Sequence, residues 1–170
     1  MSKKKQKPKP KKKRSSLKNN VIVKPRNYLV VNSVKATHTH AASIAKKIKK
    51  RPCLILLSGA LGVGKSEWVR GFVKAYLKSK IIVTSPTYSI VNLYGTKSKP
   101  VYHVDLYRLK SEDDLESVGF WDLLQGKNII LVEWGDMLPP RWPKEIAVLS
   151  IKIDLLSEPE RRISLLFEQD

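Results

Sequence analysis

Residues 59–66 read Gly59-Ala60-Leu61-Gly62-Val63-Gly64-Lys65-Ser66. Three glycines, a lysine and a hydroxyl stand here at the spacing of a phosphate-binding loop, G-x-x-x-x-G-K-[ST]. Glycine admits backbone conformations closed to other residues, so successive N–H groups can turn towards one anion. Lys65 would reach the β- and γ-phosphates of a nucleotide, and the Ser66 hydroxyl would ligate Mg²⁺. Two acids downstream could complete such a site. Residues 101–108 alternate like a strand and set Asp105 near its end, where a carboxylate can hold metal-bound water or orient an attacking one. Residues 129–132 are four aliphatics followed by Glu133, the shape of a Walker B strand delivering a carboxylate to the metal side of the phosphates. A strand that merely ends in a charge is the alternative. Between the loop and these acids lies Ser85-Pro86-Thr87. Pro86 fixes its own φ and biases Ser85 towards extended backbone. The two hydroxyls could respond to a γ-phosphate, or the segment could be an ordinary hairpin turn.

These residues need elements to position them. Residues 53–57 are a continuous apolar run, as expected of a buried parallel strand, and Val69, Phe72, Val73, Tyr76 and Leu77 follow at helical spacing. The loop thus falls between a strand and a helix N-terminus, whose free donors and dipole favour an anion. Upstream, residues 28–31 suit an edge strand. Asn32 or Ser33 offers a cap for a helix over 36–50, with Ala41, Ile44, Ala45 and Ile48 on its apolar face. Downstream, the pattern predicts strands at 81–84 and 88–94, then a helix from Ser111 to about Leu124 that Gly119 weakens. Two final strands follow at 146–155 and 163–167, joined by a turn at Ser157-Glu158-Pro159. The sum is an α/β protein: a mostly parallel, P-loop NTPase-like sheet with antiparallel additions, flanked by helices.

The chain has 170 residues and a net charge of +18. Residues 1–66 hold 19 Lys or Arg and no acid, whereas residues 67–170 hold 14 basic and 15 acidic side chains. Residues 1–20 are Lys-rich and too polar to offset their ordering entropy, so a disordered tail is expected there, with residues 21–170 as one domain. The tail could hold RNA by releasing counterions, or remain a solvated arm. The helix face of Lys46, Lys47, Lys49, Lys50 and Arg51 poses the same choice between solvent and RNA or an acidic partner. No run is long and apolar enough for a membrane span, and no apolar segment follows the basic N-terminus as a secretory signal requires. A lone cysteine, Cys53, forms no internal disulfide and fits a buried position in a reducing, cytoplasmic setting. His38 and His40, two apart on a helix, point in different directions and argue against a zinc pair; nothing in the sequence suggests a partner for His103.

The order of motifs is G-x-L-G-x-G-K-[ST], S-P-T-Y, H-x-D-L-Y-R-L, V-E-W and a terminal strand pair near an arginine. In this order, over about residues 30–167, it resembles the TsaE family, the bacterial ATPase of tRNA threonylcarbamoyladenosine biosynthesis. The resemblance implies ATP and Mg²⁺ as cofactors and slow hydrolysis. It also implies action on TsaB and TsaD, the partners that modify the adenosine beside the anticodon, with tRNA met indirectly or through the basic tail. It implies phosphate contacts from Gly59, Leu61, Gly62, Val63, Gly64, Lys65 and Ser66, with Ser66 and Glu133 at the metal and Asp105 positioning the water. Thr37, Ser85, Thr87, Trp134 and either Arg161 or Arg162 would lie near the nucleotide. Three departures stand out: Ala60 replaces a frequent acid, Ser66 a usual threonine, and Gly135 a frequent proline, the last implying a looser loop. A small P-loop kinase and a nonenzymatic basic RNA-binding protein are the alternatives to this assignment.

Overall fold

The computed structural model describes residues 27–48, 51–109, 111–138, 142–143 and 145–167. The N-terminal tail, Lys49 and Lys50 lie outside the described residues. The described strands form one seven-stranded sheet in the order β1-β7-β6-β2-β5-β4-β3. Its centre is β2 (Cys53–Ser58), flanked in parallel by β5 (Ile129–Glu133) and β6 (Ala147–Ser157). β4 (Lys99–Asp105) continues the parallel set beyond β5. β3 (Val91–Thr96), β7 (Glu160–Phe167) and β1 (Asn27–Val31) add antiparallel edges. Aliphatic runs without alternation suit the middle of the sheet because both faces there are covered; every residue of β5 is buried.

One face is covered by α1 (Val34–Ile48) and α2 (Lys65–Leu77). Trp68, Phe72 and Tyr76 project from α2 as a ladder of stacked rings, 5.5 and 5.6 Å between centroids. Gly71 lets α1 lie close, since an added Cβ there would meet the His38 Cα at 2.6 Å. The other face carries α3 (Glu112–Ser117), α4 (Phe120–Leu124) and a short 3-10 turn at Gly135–Met137, packed around Phe120, Leu115 and Leu138.

Three expectations need correction. Residues 81–84 form no strand: side chains take their carbonyls, Arg70 Nε donating to Val83 O (3.0 Å) and Tyr94 Oη to Thr84 O (2.9 Å). The following strand starts at Val91, not Tyr88, because residues 87–89 turn and Ile90 is left-handed at φ 64°. The helix expected from Ser111 to Leu124 is two helices broken at Gly119 (φ 65°). Its start is as anticipated, a capping box in which Ser111 and Asp114 exchange hydrogen bonds of 3.2 and 3.0 Å. None of the described helices is long and apolar enough to cross a membrane.

Candidate functional site

The parallel strands point their C-terminal ends at one cleft of about 370 Å³. β2 delivers the glycine loop. At Gly59 (φ 135°) an added Cβ would lie 2.2 Å from Ile153 O on β6, so the loop leaves the sheet in a path only glycine can follow. Gly64 is also left-handed (φ 106°) and hands the chain to the N-terminus of α2 with open space where a side chain would stand. Left-handed glycines leading into a helix N-terminus are a backbone pattern that can turn N–H groups towards one anion.

β4 and β5 end side by side, with Asp105 paired in register to Glu133 and Glu133 in turn to Leu57 of β2. Both carboxylates are buried, and both are held. Ser66 Oγ donates to Glu133 Oε2 at 3.0 Å. His103 Nε2 lies 2.8 Å from Glu133 Oε1, and because a carboxylate only accepts, Nε2 carries the proton. Asp105 accepts from Thr87 Oγ1 (2.6 Å) and from the Tyr107 N–H (3.0 Å), and Thr87 bonds Ser85 at 2.9 Å. The Ser85-Pro86-Thr87 turn is therefore tied to a strand-end acid rather than being a bare connection.

Lys65 is buried at the loop's centre. Its Nζ donates to Gly59 O (2.7 Å) and Ala60 O (2.9 Å) and lies 3.6 Å from the centroid of the Trp134 ring. Burial holds its pKa below the usual lysine range, against the opposing pull of Glu133, Asp105 and Asp136. Trp134 is itself left-handed (φ 62°) and leans on Tyr107, 5.1 Å between rings, closing one wall of the cleft. The turn after it is not loose. Gly135 is buried, and an added Cβ would meet the Leu56 Cβ at 2.6 Å, so the missing proline is offset by close packing on β2.

Of the residues singled out in the sequence, Leu61, Gly62, Gly64, Lys65, Ser66, Ser85, Thr87, Asp105, Glu133 and Trp134 line the cleft. Val63 belongs to the loop but sends its side chain into the core. Thr37 is buried in α1, where its hydroxyl donates to Ser33 O at 3.3 Å. The cleft does not gather Arg161, which pairs with Glu158 (3.0 Å), or Arg162, which pairs with Asp154 (3.2 Å). Sequence patterns missed four participants. Tyr107, Glu67 and Arg70 line the cleft, Glu67 bonded to Arg70 and to His38 Nε2 (2.9 Å). The fourth, His103, had a detectable signal: it stands two residues before Asp105 and so shares Asp105's face of the sheet, where it is the diagonal neighbour of Glu133 on β5.

The family model for the threonylcarbamoyl adenosine biosynthesis protein TsaE matches residues 31–163. The chain belongs to the TsaE family. Its curated relatives include the tRNA threonylcarbamoyladenosine biosynthesis protein TsaE of Rickettsia felis, 31% identical, with 81% of this chain and 78% of the relative covered. The protein of the same name from Bacillus subtilis is 33% identical, with 72% and 75% covered. Among solved structures, the crystal structure of Bacillus subtilis YdiB superposes with a TM-score of 0.61 at 25% identity, covering 82% of this chain and 83% of that one. This TsaE-family chain therefore belongs to tRNA threonylcarbamoyladenosine biosynthesis, and the matched segment contains the whole cleft.

Proposed function

We propose that this TsaE-family protein binds ATP with Mg²⁺ in the cleft, hydrolyses it slowly, and uses that turnover to act on TsaB- and TsaD-type partners in the cytoplasm. The observation that carries the proposal is the 3.0 Å bond between Ser66 at the helix N-terminus and Glu133 at a strand end, with Asp105 in register beside it. A hydroxyl and a carboxylate at that spacing suit an oxygen-coordinated divalent cation, and the left-handed Gly62 and Gly64 leave the space beside them open. Mg²⁺, when bound, would neutralise charge on the phosphates.

The chain's own residues do the rest. Backbone N–H groups of residues 61–66 bind the phosphates. Lys65 leaves the Gly59 and Ala60 carbonyls and the Trp134 face for a phosphate oxygen, an exchange that relieves the cost of its burial. Asp105, fixed by Thr87 and the Tyr107 N–H, orients the attacking water and accepts its proton. His103 holds Glu133 from behind as a positioning residue. The protein thus contributes positioning and charge stabilisation rather than covalent chemistry. Among the described residues, an acidic, capped helix rather than an arginine-rich lid follows Asp105, which favours hydrolysis over kinase chemistry. The test is reconstitution with TsaB and TsaD. Modified adenosine should accumulate over many cycles only with this protein and ATP, and accumulation without it would end the proposal.

A further inference from the structure

We propose that the end of the sheet opposite the cleft is a second binding surface, for the sugar–phosphate backbone of a folded RNA. The topology gathers it. The cleft lies at the C-terminal ends of the parallel strands, so α1 and α2, which lead away from it, finish at the other end. The β3–β4 hairpin turn joins them there: an added Cβ at Gly95 would meet the Leu77 side chain of α2, and Lys99 donates to Tyr76 O. Lys46 and Lys47 in the last turn of α1, Arg51 before β2, Lys74 and Lys78 at the end of α2, and Lys97 in the hairpin turn are all exposed. None of the six has a carboxylate partner among the described residues.

This is not a general property of the surface. Residues 27–104 contain 13 Lys or Arg and a single acid, Glu67, which belongs to the cleft; residues 105–170 contain 8 basic and 14 acidic side chains. The layer of α1 and α2 is therefore basic and that of α3 and α4 acidic. Among the described residues, Asp122 on α4 and Glu145 before Ile146 stand next in sequence to residues of the α3–α4 core. Lysines in a last helical turn complement the helix dipole. That accounts for Lys46, Lys47 and Lys74, but not for Arg51 or Lys97, nor for a surface with no acid between residues 68 and 104.

The class of partner follows from what accompanies the charge. A protein interface has an apolar centre with aromatic anchors. Most exposed large hydrophobics lie elsewhere, on β1 and around the cleft mouth; Ile82 and Leu93, neither of them aromatic, are near this end. Without aromatic platforms the surface cannot stack unpaired bases. Separate lysines spread over three segments suit phosphates of a duplex, held without sequence preference and released by salt.

The test is a fluorescence-anisotropy titration of the full chain with an unmodified tRNA transcript and no nucleotide, across a salt series. Because nucleotide is absent, the outcome is separate from the ATPase proposal. Replacing Lys46, Lys47, Lys74, Lys78 and Lys97 by glutamine should weaken binding by about tenfold or more, and lower the salt slope by about one for each side chain that meets a phosphate. Arginine at the same positions should restore binding, and the glutamine variant should still unfold cooperatively, at a melting temperature lowered by no more than the lost helix-dipole interactions explain. Unchanged affinity and slope in the glutamine variant, with all binding lost when the lysines of residues 3–13 are neutralised, would overturn the proposal. So would intact RNA binding accompanied by lost association with a TsaB or TsaD partner, which would make the surface a protein interface.

Discussion

At the cleft end of the parallel strands Glu133, Asp105 and Lys65 are buried and already bonded: Glu133 to Ser66 and His103, Asp105 to Thr87 and Tyr107, Lys65 to the loop. At the far end Lys46, Lys47, Arg51, Lys74, Lys78 and Lys97 are exposed and have no carboxylate partner among the described residues. The same sheet supports both, and the difference is one of range. A buried, bonded group acts through geometry at about 3 Å, so its loss is large and does not add to its neighbour's. An exposed cation acts through a screened field over about 10 Å, so each one matters little and the effects sum.

Substitutions at the cleft should break this contrast first if it is wrong. Lys65→Ala should weaken ATP binding by on the order of a hundredfold or more, since it removes a charge-assisted bond of about 3 kcal/mol. Calorimetric titration checks this, and an unaltered Kd would mean that ATP does not bind in the cleft. Asp105→Asn and Glu133→Gln should each lower turnover by roughly a hundredfold while ATP still binds. The double variant should be little worse than the poorer single one, because both acids serve one geometry; full additivity would mean that they act independently. His103→Ala should have a smaller effect, raising the Mg²⁺ concentration needed for half-maximal nucleotide binding by about tenfold. His103→Gln, which can still donate to Glu133, should recover most of that loss.

How much of this was legible in the sequence follows the same division. Glycines, Lys65, Ser66 and the two strand-end acids are local patterns: composition fixes their backbone geometry or the end of a strand. Their convergence was legible too, because parallel strands must end on the same side. What stayed hidden depends on a neighbour in space. His103 matters only because β4 pairs with β5, so that its imidazole meets Glu133 thirty residues on. Residues 81–84 looked like a strand by composition, but Arg70 and Tyr94 took the carbonyls that a strand would have used. Gly135 suggested a loose turn because sequence cannot show Leu56 beneath it. The basic end was half visible, as a charged helix face. Its extension across α2 and the hairpin required the fold.

Alkaline pH offers the smallest and sharpest comparison, because the two ends should respond with opposite sign. Cys53 opens β2 at the far end, and burial pushes its thiol up to about 12. The unfolded thiol ionises near pH 8.5, so between there and about 12 the unfolded chain holds fewer protons, and this group makes stability fall as pH rises. Burial raises the Tyr76 phenol as well, in the same direction. Lys65 works the other way. Its folded pKa is lowered, so in the window below the ordinary lysine value of about 10.4 the unfolded chain holds more protons, and stability gains as pH rises. Urea unfolding between pH 8.5 and 9.5 should therefore give a shallower alkaline decline for Cys53→Ala than for the parent chain, and a steeper one for Lys65→Ala. Each difference should be about 1 kcal/mol or less over that unit of pH. If both variants shifted the slope in the same direction, burial would not be the force acting on both groups, and the contrast between the two ends would have to rest on their charges alone.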